Sequence, residues 1–173
     1  MMNRPEKTEY ADYYDRYVSL VPEGDITVLL DENLRETLAA LNDISDDAAA
    51  FRYAPEKWSI KELIGHMIDT ERVFAYRALC FARNDKTPLP SFDQDEYARN
   101  ASFDNYPMKD LTAEFEAVRR STVLLFKNLN ETEWTRRGIA SENEVTVRAL
   151  AYIIAGHEIY HRRILRDKYL KSE

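Results

Sequence analysis

Apolar residues recur at helical spacing in four long stretches of this chain, and that periodicity leaves room for little besides a helix bundle. The first stretch, about Ile26 to Asp43, carries Ile26, Leu30, Leu34, Thr37/Leu38 and Leu41 on one face. The second opens at Trp58-Ser59-Ile60-Lys61-Glu62-Leu63, where Ser59 and Glu62 form a capping-box pattern and Trp58 and Leu63 take the hydrophobic-staple positions. It is predicted to run to about Arg83. The third, about Lys109 to Asn130, aligns Leu111, Phe115, Val118, Thr122, Leu125 and Leu129. The fourth, about Thr146 to Leu170, aligns Leu150, Ile153/Ile154, His157, Tyr160/His161 and Ile164. Its last turns carry Arg162, Arg163, Arg166 and Lys168, the sign that a helix C-terminus favours. Only 4 glycines and 6 prolines occur in 173 residues, the prolines mostly between the periodic stretches, and no convincing strand is found. The expectation is an all-α four-helix bundle forming one domain over residues 1–173.

Connection lengths carry topology. Residues 1–24 read as an N-terminal flap with a short helix, on which Tyr10, Tyr13, Tyr14 and Tyr17 share a face. The joins between helices one and two and between three and four are about 15 residues each, whereas the crossover at 84–108 is nearer 24. That crossover holds Pro88, Pro90 and a predicted short helix near residues 93–99. A helix of ~25 residues is ~38 Å long, and an extended chain of ~24 residues crosses that distance with slack. Helices two and three are therefore expected to run parallel, as in bundles with a long crossover.

The chain has three histidines, His66, His157 and His161, and each falls on a predicted apolar stripe. A stripe covers about a third of a helix, so chance agreement is roughly one in 27. His157 and His161, four apart, project from one face. His66 lies ~10 Å from the start of its helix and the His157/His161 midpoint ~16 Å before the end of its own. Antiparallel packing of helices two and four brings those heights together, with the site nearer one end of the bundle. Three imidazoles with a fourth position open make a catalytic type of metal site. Zinc suits such ligands, and nickel, copper, iron(II) or manganese can use them too. The bland alternative is three separate core histidines, each hydrogen-bonded in its own polar pocket.

Glu62 and Thr70, one turn to either side of His66, are the local candidates to orient its ring. His157-Glu158-Ile159-Tyr160-His161 also matches the H-E-x-x-H pattern, in which the glutamate acts as base. Only 12 residues follow His161, with no histidine or cysteine among them to complete a downstream ligand set. Proteolysis is thus disfavoured, while Glu158 stays a candidate base for other chemistry. Cys80 lies 14 residues after His66, ~21 Å along one helix. It reads as a buried core thiol, not a ligand.

The formal charge of −7, with basic residues clustered only in pairs, gives no stripe for a nucleic acid. No apolar run approaches the ~20 residues of a membrane span. The start lacks the apolar stretch of a signal peptide, so a cytoplasmic location is expected.

From Glu9-Tyr10 through Tyr169-Leu170 the chain resembles the DinB-like (DinB/YfiT) superfamily of four-helix metalloproteins. The marks are Trp58-Ser59-Ile60-Lys61-Glu62, His66 with Asp69-Thr70-Glu71-Arg72, Ser91-Phe92-Asp93-Gln94-Asp95-Glu96-Tyr97, and His157 with His161. The resemblance implies an up-down-down-up bundle, a divalent metal such as zinc or nickel on the three histidines, and a homodimer. It further implies a small-molecule substrate and a thiol-dependent transferase or isomerase activity in stress response or detoxification, with bacillithiol, mycothiol or glutathione as cosubstrate. A cation beside a thiol favours the nucleophilic thiolate, which can attack an electrophilic carbon. Arg72, Arg77 and Arg148 are candidates to bind the cosubstrate's carboxylates, and Asp93, Asp95 and Tyr97 lie where the crossover can cover the metal. Metal-dependent hydrolysis with Glu158 as base, and a non-catalytic metal-binding or interaction protein, are the competing readings.

Overall fold

A computed structural model describes residues 3–170. Eight α-helices follow in chain order: α1 (Asp15–Val18), α2 (Ile26–Leu41), α3 (Asp46–Ala49), α4 (Ile60–Ala82), α5 (Gln94–Asn100), α6 (Met108–Lys127), α7 (Glu131–Thr135) and α8 (Val147–Ile164). A π turn, Leu165–Tyr169, extends the last. The four long helices begin where side chains can satisfy free backbone N–H groups. Asp25 accepts from Thr27 N, Thr146 accepts from Ala149 N, and Ser59 and Glu62 close the expected capping box. For α6 the donor-binding oxygen comes from elsewhere: Met108 N donates to Asp46 Oδ1 at 2.8 Å.

Contacts along the helices establish their directions. Tyr169, past the end of α8, donates to Trp58 O, just before α4, while Arg136, ahead of α8, bonds Ala82 O at the end of α4. Helices α4 and α8 are therefore antiparallel. Ser59, which caps α4, meets Asp104 just ahead of α6, and Arg72 farther along α4 meets Glu114 within α6, so that pair is parallel. Asn33 reaches Ala155 O and Thr37 reaches Glu158, so α2 and α8 are parallel as well. This is the up-down-down-up order, with α2 opposite α4 across the bundle and α6 opposite α8.

Two apolar clusters fill the interior. One, with Phe74, Phe81, Phe126 and Leu150, lies toward the start of α8; the other, with Leu63, Ile64, Leu111 and Phe115, lies toward the start of α4. Between them runs a buried polar layer of Thr37, His66, Thr70, Glu71, Arg119, His157, Glu158 and His161. Each long helix passes from one apolar cluster to the other through that layer.

The structure corrects three expectations. The absence of a strand does not hold: β1 (Arg137–Ala140) and β2 (Asn143–Thr146) form an antiparallel hairpin, and Leu89 of the crossover pairs with Ala140 beside it. Ser141 and Glu142 make its turn at φ 51° and 65°, left-handed positions that Asn-Gly normally announces. The N-terminal tyrosines do not share one helix. Two 3-10 turns (Lys7–Glu9, Asp12–Tyr14) precede the single turn of α1; Tyr10 and Tyr17 go inward while Tyr13 stays exposed. Cys80 is half-buried at the edge of the core, not enclosed.

That N-terminal segment is strapped to α8. Glu9 takes the Arg148 guanidinium and the Thr146 hydroxyl, and Arg4 donates to Val18 O at 2.9 Å. The strap lies so close to α8 that a Cβ on Gly156 would stand 2.0 Å from Tyr17 O. Alanine gains ~1 kcal/mol of helix propensity over glycine, but here the clash is with backbone and cannot be relieved by a rotamer. Gly156→Ala is expected to destabilise the protein by roughly 1–3 kcal/mol and to free the strap. Denaturant unfolding together with limited proteolysis of residues 3–20 checks both effects; an unchanged midpoint would refute them.

Candidate metal centre

His66 enters the polar layer from α4, and His157 and His161 enter it from successive turns of α8. All three are buried, at 4%, 6% and 7% exposure. One ring nitrogen from each lies within 4.8 Å of the others, with His66 Nε2 and His157 Nε2 3.0 Å apart. An ion held ~2.0–2.1 Å from each nitrogen sets tetrahedral ligands about 3.3–3.4 Å apart, so small side-chain adjustments close the set. His161 Nδ1 is buried with no hydrogen-bond partner. Such an orphan costs ~1–3 kcal/mol, and a cation near its lone pair removes the cost. Both observations fit a divalent ion on these ligands.

Neighbouring groups prepare the rings. Thr70 Oγ1 lies 3.4 Å from His66 Nδ1, a placement that directs Nε2 toward the other histidines. The Trp58 ring lies 4.6 Å from that of His66, and Tyr17 meets His157 edge-on at 5.3 Å. Glu62, the other orienting candidate, is used instead in the α4 cap and in an ion pair with Arg52.

Burial drives each imidazole toward its neutral, ligating form. It pushes His66 down to about 4 and, helped by His66, pushes His161 down to about 3; His157 also falls well below its ordinary value. In the metal-free protein a stability effect follows. Between the unfolded value of ~6.5 and these folded values the unfolded chain binds protons that the folded chain does not. Stability is therefore full above pH ~6.5 and declines as pH falls, by up to ~1.4 kcal/mol per histidine per unit. Urea unfolding of chelator-treated protein at pH 7.5, 6 and 5 should show this decline, above the range where most carboxylates titrate. A flat profile would contradict it.

The other candidates are dispersed. Glu158, considered above as a base, is 2% exposed with both oxygens engaged: Thr37 donates to Oε1 at 2.7 Å and Arg119 pairs with Oε2. Arg119 also forks onto Glu71, Nε and Nη2 donating to its two oxygens at 2.8 and 2.7 Å. Burial works against the Arg119 charge, yet Glu158 and Glu71 together hold its pKa above the ordinary value. The geometry thus places Glu158 in a core ion-pair network directly after His157. Arg148 is paired with Glu9 in the strap, and Arg72 is exposed and bonded to Glu114. Only Arg77 of the three arginines lines a cavity beside the histidines.

Two cavities flank the triad. One of about 460 Å³ reaches His157 and is walled by Tyr14, Phe74 and Phe92; the other, about 290 Å³, reaches His161 past Trp58, Arg16 and Lys57. Tyr13, Tyr17 and Gln94 border both. Asp93 of the crossover caps α5 and lines the first cavity, Asp95 lines the second, and Tyr97 packs on Phe92 at 5.3 Å. In the sequence Trp58 and Glu71 stand out only as family marks and Tyr17 only as a flap residue, none with a role at the triad, and Arg119 is not singled out. Phe115, Arg119 and Thr122 at helical spacing were the available signal for the last.

Known proteins place these features. A 26% identical protein of Oceanobacillus iheyensis, named "Putative metal-dependent hydrolase", aligns over 123 residues, 70% of each chain. Among solved structures, YfiT of Bacillus subtilis, described as a probable metal-dependent hydrolase with an unusual four-helix bundle topology, superposes with a TM-score of 0.72 at 12% identity, covering 95% of this chain and 90% of its own. The DinB-like protein YjoA of Bacillus subtilis gives 0.60 at 21% identity, with 83% and 88% covered. A mycothiol-dependent maleylpyruvate isomerase gives 0.66 at 10% identity, over 80% of this chain and 58% of that one. These structural likenesses establish the shared fold. The sequence profile of the DinB superfamily matches residues 29–165, so the chain belongs to that superfamily.

Proposed function

We propose that the protein is a divalent-metal-dependent enzyme that transfers a low-molecular-weight thiol to an electrophilic small molecule. The observation that carries this reading is the pair of cavities flanking the triad, one reaching His157 and one reaching His161, an arrangement suited to two substrates. His66, His157 and His161 would hold the ion, zinc or nickel. Once bound, it would supply Lewis-acid chemistry, favouring the thiolate over the thiol. Arg16 and Lys57, with Glu56 and Asp95 beside them, give the smaller cavity charges of both signs, suited to a thiol that bears carboxylates and an amino group. Tyr13 and Tyr17 border both cavities and so would lie against both ligands. In the transfer a C–S bond forms from the sulfur's electron pair, the leaving group departs with the pair of the bond that breaks, and the thiol proton goes to solvent. The mycothiol dependence of one structural neighbour agrees with such chemistry. A homodimer in the cytoplasm, acting on small molecules in stress response or detoxification, completes the reading.

The test is turnover of 1-chloro-2,4-dinitrobenzene with a panel of bacillithiol, mycothiol and glutathione. Metal-loaded protein should release chloride with one of them, and His157→Ala should not; no conjugation with any thiol would sink the proposal. Hydrolysis is the second reading, favoured by the names of two relatives. An ester and amide panel comparing wild type with Glu158→Gln addresses it. Because both oxygens of Glu158 are already engaged, equal turnover would leave the proton transfer to another group.

A further inference from the structure

Among the described residues, no carboxylate pairs with the positive charge that Arg77 brings to the larger cavity. Arg77 is 3% exposed and lines the cavity that reaches His157. Its Nη2 donates to Pro90 O at 2.7 Å and Ser141 Oγ at 3.1 Å, both uncharged oxygens. Among the described residues it has no carboxylate partner, whereas Arg119, the other fully buried arginine, has two. Phe74 and Phe92 place their rings 5.3 and 5.9 Å from the guanidinium carbon, which orients the fork but leaves its charge unmatched. Asp93 borders the same cavity, but its Oδ1 accepts from Asp95 N and Glu96 N in the α5 cap. A buried charge without a counter-ion is costly, and a guanidinium fork is built for a planar carboxylate.

We infer that Arg77 anchors a carboxylate subsite in this cavity, taking an organic acid with an apolar or aromatic body. Phe74, Phe92 and Tyr14 receive that body, and its far end lies toward His157. Arg77 lies eleven positions along α4 from His66, about 16 Å of rise, and its guanidinium leans back over Phe74 toward the histidines, a gap suited to a phenylalkanoate-length acid. This inference rests on the same site as the proposed enzyme but not on its turnover.

Equilibrium binding tests it. Titration calorimetry with 4-phenylbutyrate and the uncharged 4-phenylbutyramide, on metal-loaded and on chelator-treated protein, should give the acid at least about a tenfold preference in both. Arg77→Gln should erase the preference and Arg77→Lys retain part of it, with circular dichroism confirming that each is folded. If neither variant folds, the acid–amide comparison on wild type still decides. Equal affinity for acid and amide would overturn the subsite, as would a preference that disappears on chelation yet survives in Arg77→Gln, since the ion would then be the acceptor. Competition locates the acid: displacement by 1-chloro-2,4-dinitrobenzene puts the carboxylate on the electrophile, and displacement by the thiol puts it on the cosubstrate. Failure of the turnover assay with acid preference intact would sink the transferase reading alone.

Discussion

Arg119→Met should lower the unfolding free energy by about 3–5 kcal/mol, the range for breaking a buried ion pair from one side. Its guanidinium is 0% exposed and holds Glu71, Glu158 and Leu30 O together from α4, α8 and α2. Removal leaves two carboxylates facing each other in a layer closed by apolar clusters above and below. For a chain of this size the loss corresponds to roughly 10 °C in Tm. Arg119→Lys should recover little, because an ammonium cannot reproduce the fork. Combining Arg119→Met with Glu71→Gln and Glu158→Gln should restore much of the stability, since no buried charge is then left unpaired. Thermal and urea unfolding of the set checks this. A loss under about 1 kcal/mol for the single variant would mean that the network behaves like a surface pair.

Metal should stabilise wild type strongly and His157→Ala by no more than about a third as much. A ligand present at 1,000 times its dissociation constant adds about 4 kcal/mol, worth roughly 10 °C in Tm for a domain of this size. If the ~10–16 kcal/mol of a structural zinc site is shared over four ligands, losing one histidine costs on the order of 100–1,000-fold in affinity. Burial above all, with His161, His66 and Arg119 adding to it, disfavours the protonated form of His157. Thermal scans with and without chelator, run on both proteins, measure the difference. Equal shifts in the two would place the ion elsewhere.

Much of this architecture is legible in the residue order. Ser59 and Glu62 mark the start of α4, and the long crossover foretells parallel α4 and α6. Matching the heights of His66 and the α8 pair predicts their antiparallel meeting. Other parts have no local signature. The hairpin turn uses Ser141 and Glu142 at left-handed angles without a glycine or asparagine, so nothing in its composition announces it. Arg119 and Glu71 fall on apolar stripes by position, but their charges by themselves argue for solvated faces. Only tertiary packing pairs them. The cavities belong to this second class too, since their walls come from the N-terminal strap, the crossover and two bundle helices, segments joined by no common period.

Metal analysis of protein purified without a histidine tag or added metal, beside His66→Ala prepared in the same way, tests the centre most directly. The geometry predicts one divalent ion per chain in wild type and essentially none in the variant, because His66 is the sole ligand from α4. Equal metal content in the two proteins would contradict the triad.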